Sequence, residues 1–325
     1  MFADRLYGKA PSPVLTIRCK AHKAPAADDS MTASRRSTSR PMRLMPLALV
    51  CALLCIVPER TGVAADANGE QSVLANNLLV TWYGNPHTGK MGVLGQQRGA
   101  ARAAALKQQA LAYAGFTKKR VLPTYHLVAT IAQPMAGRDG KWRRREATNV
   151  IRAMLEEARA NGFPLILDIQ PGHAEVADEV RHLRPFLEEP DVHLALDPEF
   201  AMDREQVPGR VIGQMRAADI NAALDELEKI MAAKGLPPKV LIVHQFTLNM
   251  LPDKQDIRPR PRIDLVLDMD GFGSPALKRS TYRAVMRQRE LPFAGFKLFY
   301  KQDTDLLSPA RVMQFTPTPA VVIYQ

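Results

Sequence analysis

The chain has 325 residues, 46% hydrophobic and 24% charged, with a formal net charge of +11. Residues 1–65 hold 10 Lys+Arg and 4 Asp+Glu, so the remaining 260 residues carry a surplus of only +5, too small to argue for a nucleic-acid partner. Cys19, Cys51 and Cys55 all precede residue 66, which excludes a disulfide framework, a cysteine nucleophile and a thiolate metal site from the rest of the chain.

In chain order, residues 1–41 are rich in Ser, Arg, Ala and Pro and show no sustained periodicity. Arg43 then precedes the apolar run 44–58 (LMPLALVCALLCIVP), and small residues follow at 63–67. A basic start, a short apolar centre and a small-residue cleavage site form the pattern of a secretory signal peptide. The run falls short of the roughly 20 apolar residues that span a bilayer; an N-terminal membrane anchor is the rival reading. Residues 1–65 are thus expected to be a leader, an over-extended N-terminus plus signal peptide, with Met42 or Met45 a more natural start than Met1. Residues 66–325 are expected to form one exported domain, secreted or held in the periplasm or cell envelope, with no transmembrane segment. Its oligomeric state is left open.

Extended segments are predicted at 78–83, 125–132, 164–169, 192–197, 240–245, 263–269, 295–300 and 320–324. Helical patterns fall at 97–114, 149–160 (stopped by Asn161-Gly162), 174–188, 217–233 (closed by Lys234-Gly235), 277–289 and 308–315. Apolar strands alternating with helices indicate a parallel α/β sheet. Eight such units in about 260 residues match a (β/α)8 TIM barrel, for which roughly 250 residues is typical. Two irregularities are expected. Residues 247–262 carry three prolines and no helical pattern, so the fifth βα unit is irregular, and no closing helix follows the eighth strand. Residues 68–77 are the expected cover for that gap.

Four of the apolar runs end in acidic or imidazole residues: LILD (165–168), VHLALD (192–197), VLIVH (240–244) and IDLVLD (263–268). Ligands bind at the carboxyl ends of strands in such sheets. Alternation pairs Asp168 with Gln170, Asp197 with Glu199 and Asp268 with Asp270 on the inward face. Carboxylates gathered at a barrel mouth suit glycosidic hydrolysis, which needs one protonated and one ionised group across the scissile bond. Glu199 is the expected proton donor, Asp268 or Asp270 the nucleophile or base, and Asp168 and Asp197 the groups that orient donor or substrate. His244, Gln245, Tyr83, Asn85, Gln133, Gln170 and Lys297 are candidate substrate ligands, with Trp82, Tyr83, Trp142 and Phe272 as stacking surfaces. No cofactor is required by this chemistry. The alternative is a divalent metal on Asp168, Asp197, Glu199, His244 and Asp268, whose oxygen and imidazole donors suit Mg, Mn or Zn. The bland alternative for each carboxylate is a salt bridge or a helix cap. The basic run Lys141–Arg145, with Trp142 embedded, reads as a solvated face or as a contact for an anionic polymer.

Trp82-Tyr83-Gly84-Asn85-Pro86, MGVLG (91–95), LILDIQPG (165–172), LALDPEF (194–200), VIG (211–213) and VLIVHQFT (240–247) resemble a secreted bacterial family whose members carry hypothetical-protein or putative-lipoprotein labels. The resemblance implies a glycoside-hydrolase-like barrel and export, and carries no activity with it. The chain departs from the lipoprotein label, because neither Cys51 nor Cys55 follows the small residues of a lipoprotein cleavage site. The expected function is cleavage of a carbohydrate or cell-envelope glycan. A metal-dependent hydrolase and a non-catalytic glycan-binding envelope protein are the alternatives.

Overall fold

Every predicted strand forms, and together they close. The computed structural model describes residues 72–288 and 291–325; the expected leader and all three cysteines lie outside the described residues. The strands are β1 (Asn77–Gly84), β2 (Arg120–Ala132), β3 (Arg143–Arg145), β4 (Leu165–Ile169), β5 (Val192–Leu196), β6 (Lys239–Gln245), β7 (Ile263–Met269), β8 (Phe293–Leu298) and β9 (Val321–Tyr324). The order runs β1-β9-β8-β7-β6-β5-β4-β2, and β1 pairs with β2 in parallel to complete the ring. All but β3 are parallel, so the chain is a TIM barrel.

Helix α1 (Val73–Asn76) precedes the first strand, and α2 (Gly99–Leu111), α3 (Thr148–Ala160), α4 (Val176–Leu187), α5 (Ala217–Lys234), α6 (Pro275–Gln288) and α7 (Pro309–Val312) lie in the connections. Among the described residues no helix is long and apolar enough to cross a membrane. The stop signal read at Lys234-Gly235 is a real one: Gly235 takes the left-handed conformation (φ 59°) and its N–H donates to the Met231 carbonyl. Between β6 and β7 only two 3-10 turns form, Leu248–Met250 and Lys254–Asp256, as the prolines there dictate.

Outward residues of the strands, such as Leu165, Leu167, Leu241, Val243 and Leu265, join the helices in one buried cluster. Inward residues, including Leu79, Val128, Ile166, Ala195, Val240, Ile242, Val266, Val321 and Ile323, make a separate interior cluster. Helix α1 corrects one expectation. Its Leu74 belongs to the interior cluster, and the Leu74 N–H donates to Asp264 Oδ2 (2.8 Å) near the start of β7. Residues 72–76 thus plug the amino-terminal end of the barrel rather than replace a missing helix. Beside β9, Tyr324 is covered by Tyr113, and the two hydroxyls meet at 2.7 Å.

The basic run is also corrected. Arg143–Arg145 is a strand, pairing antiparallel with the end of β2. Glu179 on α4, fully buried, accepts hydrogen bonds from Arg143 Nε (2.9 Å) and from Arg145 Nε and a terminal nitrogen (2.9 Å each). Two of the three arginines therefore stitch a hairpin to a helix, and only Arg144 is exposed. A buried carboxylate in α4 was the missing partner, 34 and 36 residues along the chain.

Candidate active site

Alternation sends Tyr83, His126, Asp168, Asp197, His244, Asp268, Asp270 and Lys297 into the barrel. At its centre is His244, fully buried, at the end of β6. Its Nε2 lies 3.2 Å from Asp168 Oδ2 and its Nδ1 lies 2.9 Å from Asp268 Oδ2, with Asp270 Oδ2 at 3.6 Å. Burial opposes charge on the ring, but Asp168 and Asp268 outweigh it and hold the His244 pKa well above the imidazole range. Asp168, equally buried, is held well below the carboxylate range; burial works against this, and His244 and His126 overcome it.

Asp268 owes its place to Gly295, its direct partner across β7 and β8. A Cβ at position 295 would sit 2.6 Å from Asp268 Oδ1 and 2.9 Å from its Cβ. Gly295→Ala is expected to displace the carboxylate from His244 and to cost about 1–3 kcal/mol, the range for overpacking a tight interior. Urea unfolding of the variant measures this; an unchanged midpoint would mean that Asp268 moves aside freely.

Lys297 supplies a second cation. Its ammonium lies 3.1 and 3.2 Å from the two oxygens of Asp270 and 3.7 Å from the centroid of the Tyr83 ring. Burial would favour loss of its proton, but Asp270, Asp197, Asp268 and Asp168 raise its pKa above the lysine value. Asp270 is raised above its own ordinary value by burial, with Lys297 and His244 pulling the other way.

Asp197 and Glu199 follow from the sequence DPE. Asp197 caps the 3-10 turn Pro198–Phe200: its Oδ1 accepts the Glu199 N–H (3.3 Å), and its Oδ2 accepts Gln170 Nε2 (3.2 Å). The helix-cap alternative thus holds for this residue, alongside its place at the mouth. Burial and the Asp168 charge push Asp197 up to about 7. Glu199 is partly open to solvent and makes no ion pair among the described residues. Its protein surroundings, then Asp197 and Asp270, push it up to about 8.

No protein-family model matches the chain, and no curated protein matches it. The chemistry therefore has to be read from the site.

Several expected ligands face away from the barrel interior or lie on the loops around its mouth. Trp82 faces outward from β1, 4% exposed, in the cluster between barrel and helices. Gln245 also faces outward: its amide donates to the Thr247 and Leu248 carbonyls (3.0 and 3.3 Å) and accepts from Lys254 Nζ (2.9 Å). Both sit one residue out of phase with the inward set, and a single step along a strand reverses the face. Gln133 spends its amide on the carbonyls of Ile131 and Ala132 (3.3 and 3.0 Å). Asn85 is buried against Glu146 (2.7 Å) and accepts the His87 N–H, so it shapes the loop after β1. Trp142, at φ 52°, stacks on His173 (5.6 Å between centroids) in the loops that follow β2 and β4. Phe272 is 42% exposed and meets Phe299 edge-on.

Of the expected metal set, Asp168, His244 and Asp268 belong to two clusters whose donor atoms fall within 4.8 Å: His126, Asp168 and His244, and His244, Asp268 and Asp270. Asp197 and Glu199 belong to neither. His126 escaped the sequence reading because it lies mid-strand among apolar neighbours. Its phase was the available signal, since His126 alternates with outward Tyr125 and Leu127 and pairs in register with Tyr83.

Proposed function

We propose that the chain is an exported glycoside hydrolase acting on a carbohydrate or cell-envelope glycan, with Glu199 as proton donor and Asp270 as the opposing carboxylate. The observation that carries this reading is the contrast between two carboxyl groups at the carboxyl ends of β5 and β7. Glu199 makes no ion pair among the described residues, and burial with the Asp197 and Asp270 charges outweighs the pull of Lys297 and His244, so it keeps its proton up to about pH 8. Burial raises Asp270 as well, but an ammonium within 3.2 Å of both oxygens pulls it back toward the anion. Glycosidic cleavage requires such a division: an acid that protonates the leaving oxygen, and an anion that faces the developing positive charge at the anomeric carbon.

Burial redistributes the roles assigned from sequence. Asp268 and Asp168 are both fully buried and engaged with His244, so they act as positioning groups that fix the floor of the site. Asp270, 7% exposed, is the better nucleophile or base of the DMD pair. Asp197 holds the turn that carries Glu199. Trp142 and Phe272, on loops at the same end of the barrel, are the proposed stacking surfaces for sugar rings. Export rests on the leader pattern and on the family resemblance.

The test is a reducing-end assay of the purified full-length chain against bacterial envelope glycans and plant polysaccharides. Wild-type protein is expected to release sugar from at least one of them, and Asp270→Asn to reduce that release by at least 100-fold, within the effect of removing a reacting carboxylate. Wild-type release that survives Asp270→Asn unchanged would remove Asp270 from the mechanism.

A further inference from the structure

We propose that His126, Asp168 and His244 form a binding site for one divalent transition-metal ion at the floor of the barrel, with Asp268 orienting His244 from behind. The site is independent of which bond the protein cleaves, and the function proposed above does not require it.

Three observations lead to it. The first is His126. It is fully buried, and neither ring nitrogen meets hydrogen-bond geometry, although Nε2 lies 3.3 Å from Asp168 Oδ2. A buried imidazole without a hydrogen bond is costly. Here nitrogen and oxygen face one another at short range but lack the alignment of donor and acceptor. Two ligands of a common ion have that relation.

The second is spacing. Metal–ligand bonds of about 2.1 Å at tetrahedral or octahedral angles place adjacent donor atoms about 3.0–3.4 Å apart. Asp168 Oδ2 lies 3.3 Å from His126 Nε2 and 3.2 Å from His244 Nε2. All three donor atoms fall within 4.8 Å of one another. The two rings stack at 5.6 Å and 27°, and both place Nε2 within 3.3 Å of the same carboxylate oxygen.

The third is the arrangement behind His244. Its Nδ1 meets Asp268 Oδ2 at 2.9 Å, the carboxylate–histidine contact that orients a metal-binding imidazole and leaves Nε2 as a ligand once the arriving ion displaces its proton to solvent. Asp168 Oδ1 is also buried without a hydrogen-bond partner. The neighbouring cluster of His244, Asp268 and Asp270 is the weaker candidate, because the Lys297 ammonium already serves Asp270 at 3.1 Å. Two imidazoles and one carboxylate favour an ion of the Zn, Mn, Fe or Co class over Mg or Ca, which prefer oxygen ligands.

The experiment is metal binding by the full-length chain, stripped with chelator and titrated with Zn2+ or Co2+. Bound metal per chain would be measured after dialysis, and the Co2+ visible spectrum recorded. Wild type is expected to hold one equivalent, unaffected by an equal concentration of Mg2+. His126→Gln should weaken binding at least 100-fold and Asp268→Asn about 10–100-fold, the range for loss of a residue that orients a ligand. Circular dichroism selects the variants that retain the fold, and a Zn2+-dependent rise in Tm confined to wild type gives a second readout. Absence of stoichiometric Zn2+ and Co2+ binding by wild type would overturn the proposal. So would unchanged affinity in folded His126→Gln, or displacement of the metal by equimolar Mg2+. Because no glycan enters this measurement, its result stands apart from the outcome of the hydrolysis assay.

Discussion

Glu199→Gln is expected to lower kcat on a cleaved glycan by about 10²–10⁴-fold, with little change in KM. That is the usual contribution of a positioned general acid, equivalent to about 3–5 kcal/mol of transition-state stabilisation. The amide preserves size and hydrogen-bonding capacity, so the turn Pro198–Phe200 and its cap by Asp197 should survive. What is lost is the proton. The wild-type pH profile should show the same group: the acid works only when protonated, and its pKa is pushed up to about 8 by burial and by Asp197 and Asp270. Activity should therefore fall as pH rises through that value, and an acid limb should mark the pH at which Asp270, whose own pKa is raised, loses its charge. In Glu199→Gln this basic limb should vanish from the residual activity. A variant with wild-type kcat, or one that loses turnover but keeps the limb, would move the donor elsewhere.

Lys297→Met carries the largest expected effect on stability, about 3–5 kcal/mol, the cost of removing one partner from a buried ion pair. Methionine keeps much of the stem, so the loss reports the charge. Without the ammonium, Asp270 and its neighbours face only the His244 ring. The sign with pH follows from two raised pKa values. The raised Lys297 pKa means that its contribution is complete below the ordinary lysine value, about 10.4, and is lost as pH rises through the folded value. The raised Asp270 pKa means that this carboxyl takes up its proton early as pH falls, so the deficit of the variant should shrink under acid conditions. Urea unfolding followed from neutral pH into the acid range would show it. Lys297→Met combined with Asp270→Asn should recover part of the loss, since the uncompensated charge is gone. A deficit that is independent of pH, with no recovery in the double variant, would assign Lys297 to packing alone.

The barrel is legible in the sequence because its strands are buried on both faces and read as unbroken apolar runs. LILD, VLIVH and IDLVLD needed no tertiary information to be placed, and period-two alternation sent Asp168, Asp197, Asp268, Asp270 and Lys297 inward. The same rule places Trp82 and Gln245 outward, each one residue out of phase with Tyr83 and His244, and the structure agrees with the rule rather than with their expected role as ligands. Arg143–Arg145 failed for a different reason. A basic run looks solvated until its counter-charge is known, and Glu179 comes from another element.

Sequence alone therefore determined the class of fold, the eight barrel strands and most of the ionisable residues they carry inward, because these depend on local periodicity. Only the tertiary structure decided which of them touch. Closure of β1 on β2 sets His126 beside Tyr83, register across β6, β7 and β8 sets His244 against Asp268 and Asp268 over Gly295, and burial divides Asp268 from Asp270. Proton affinities depend on those distances and on access to water, and neither quantity is written in the spacing of residues along the chain.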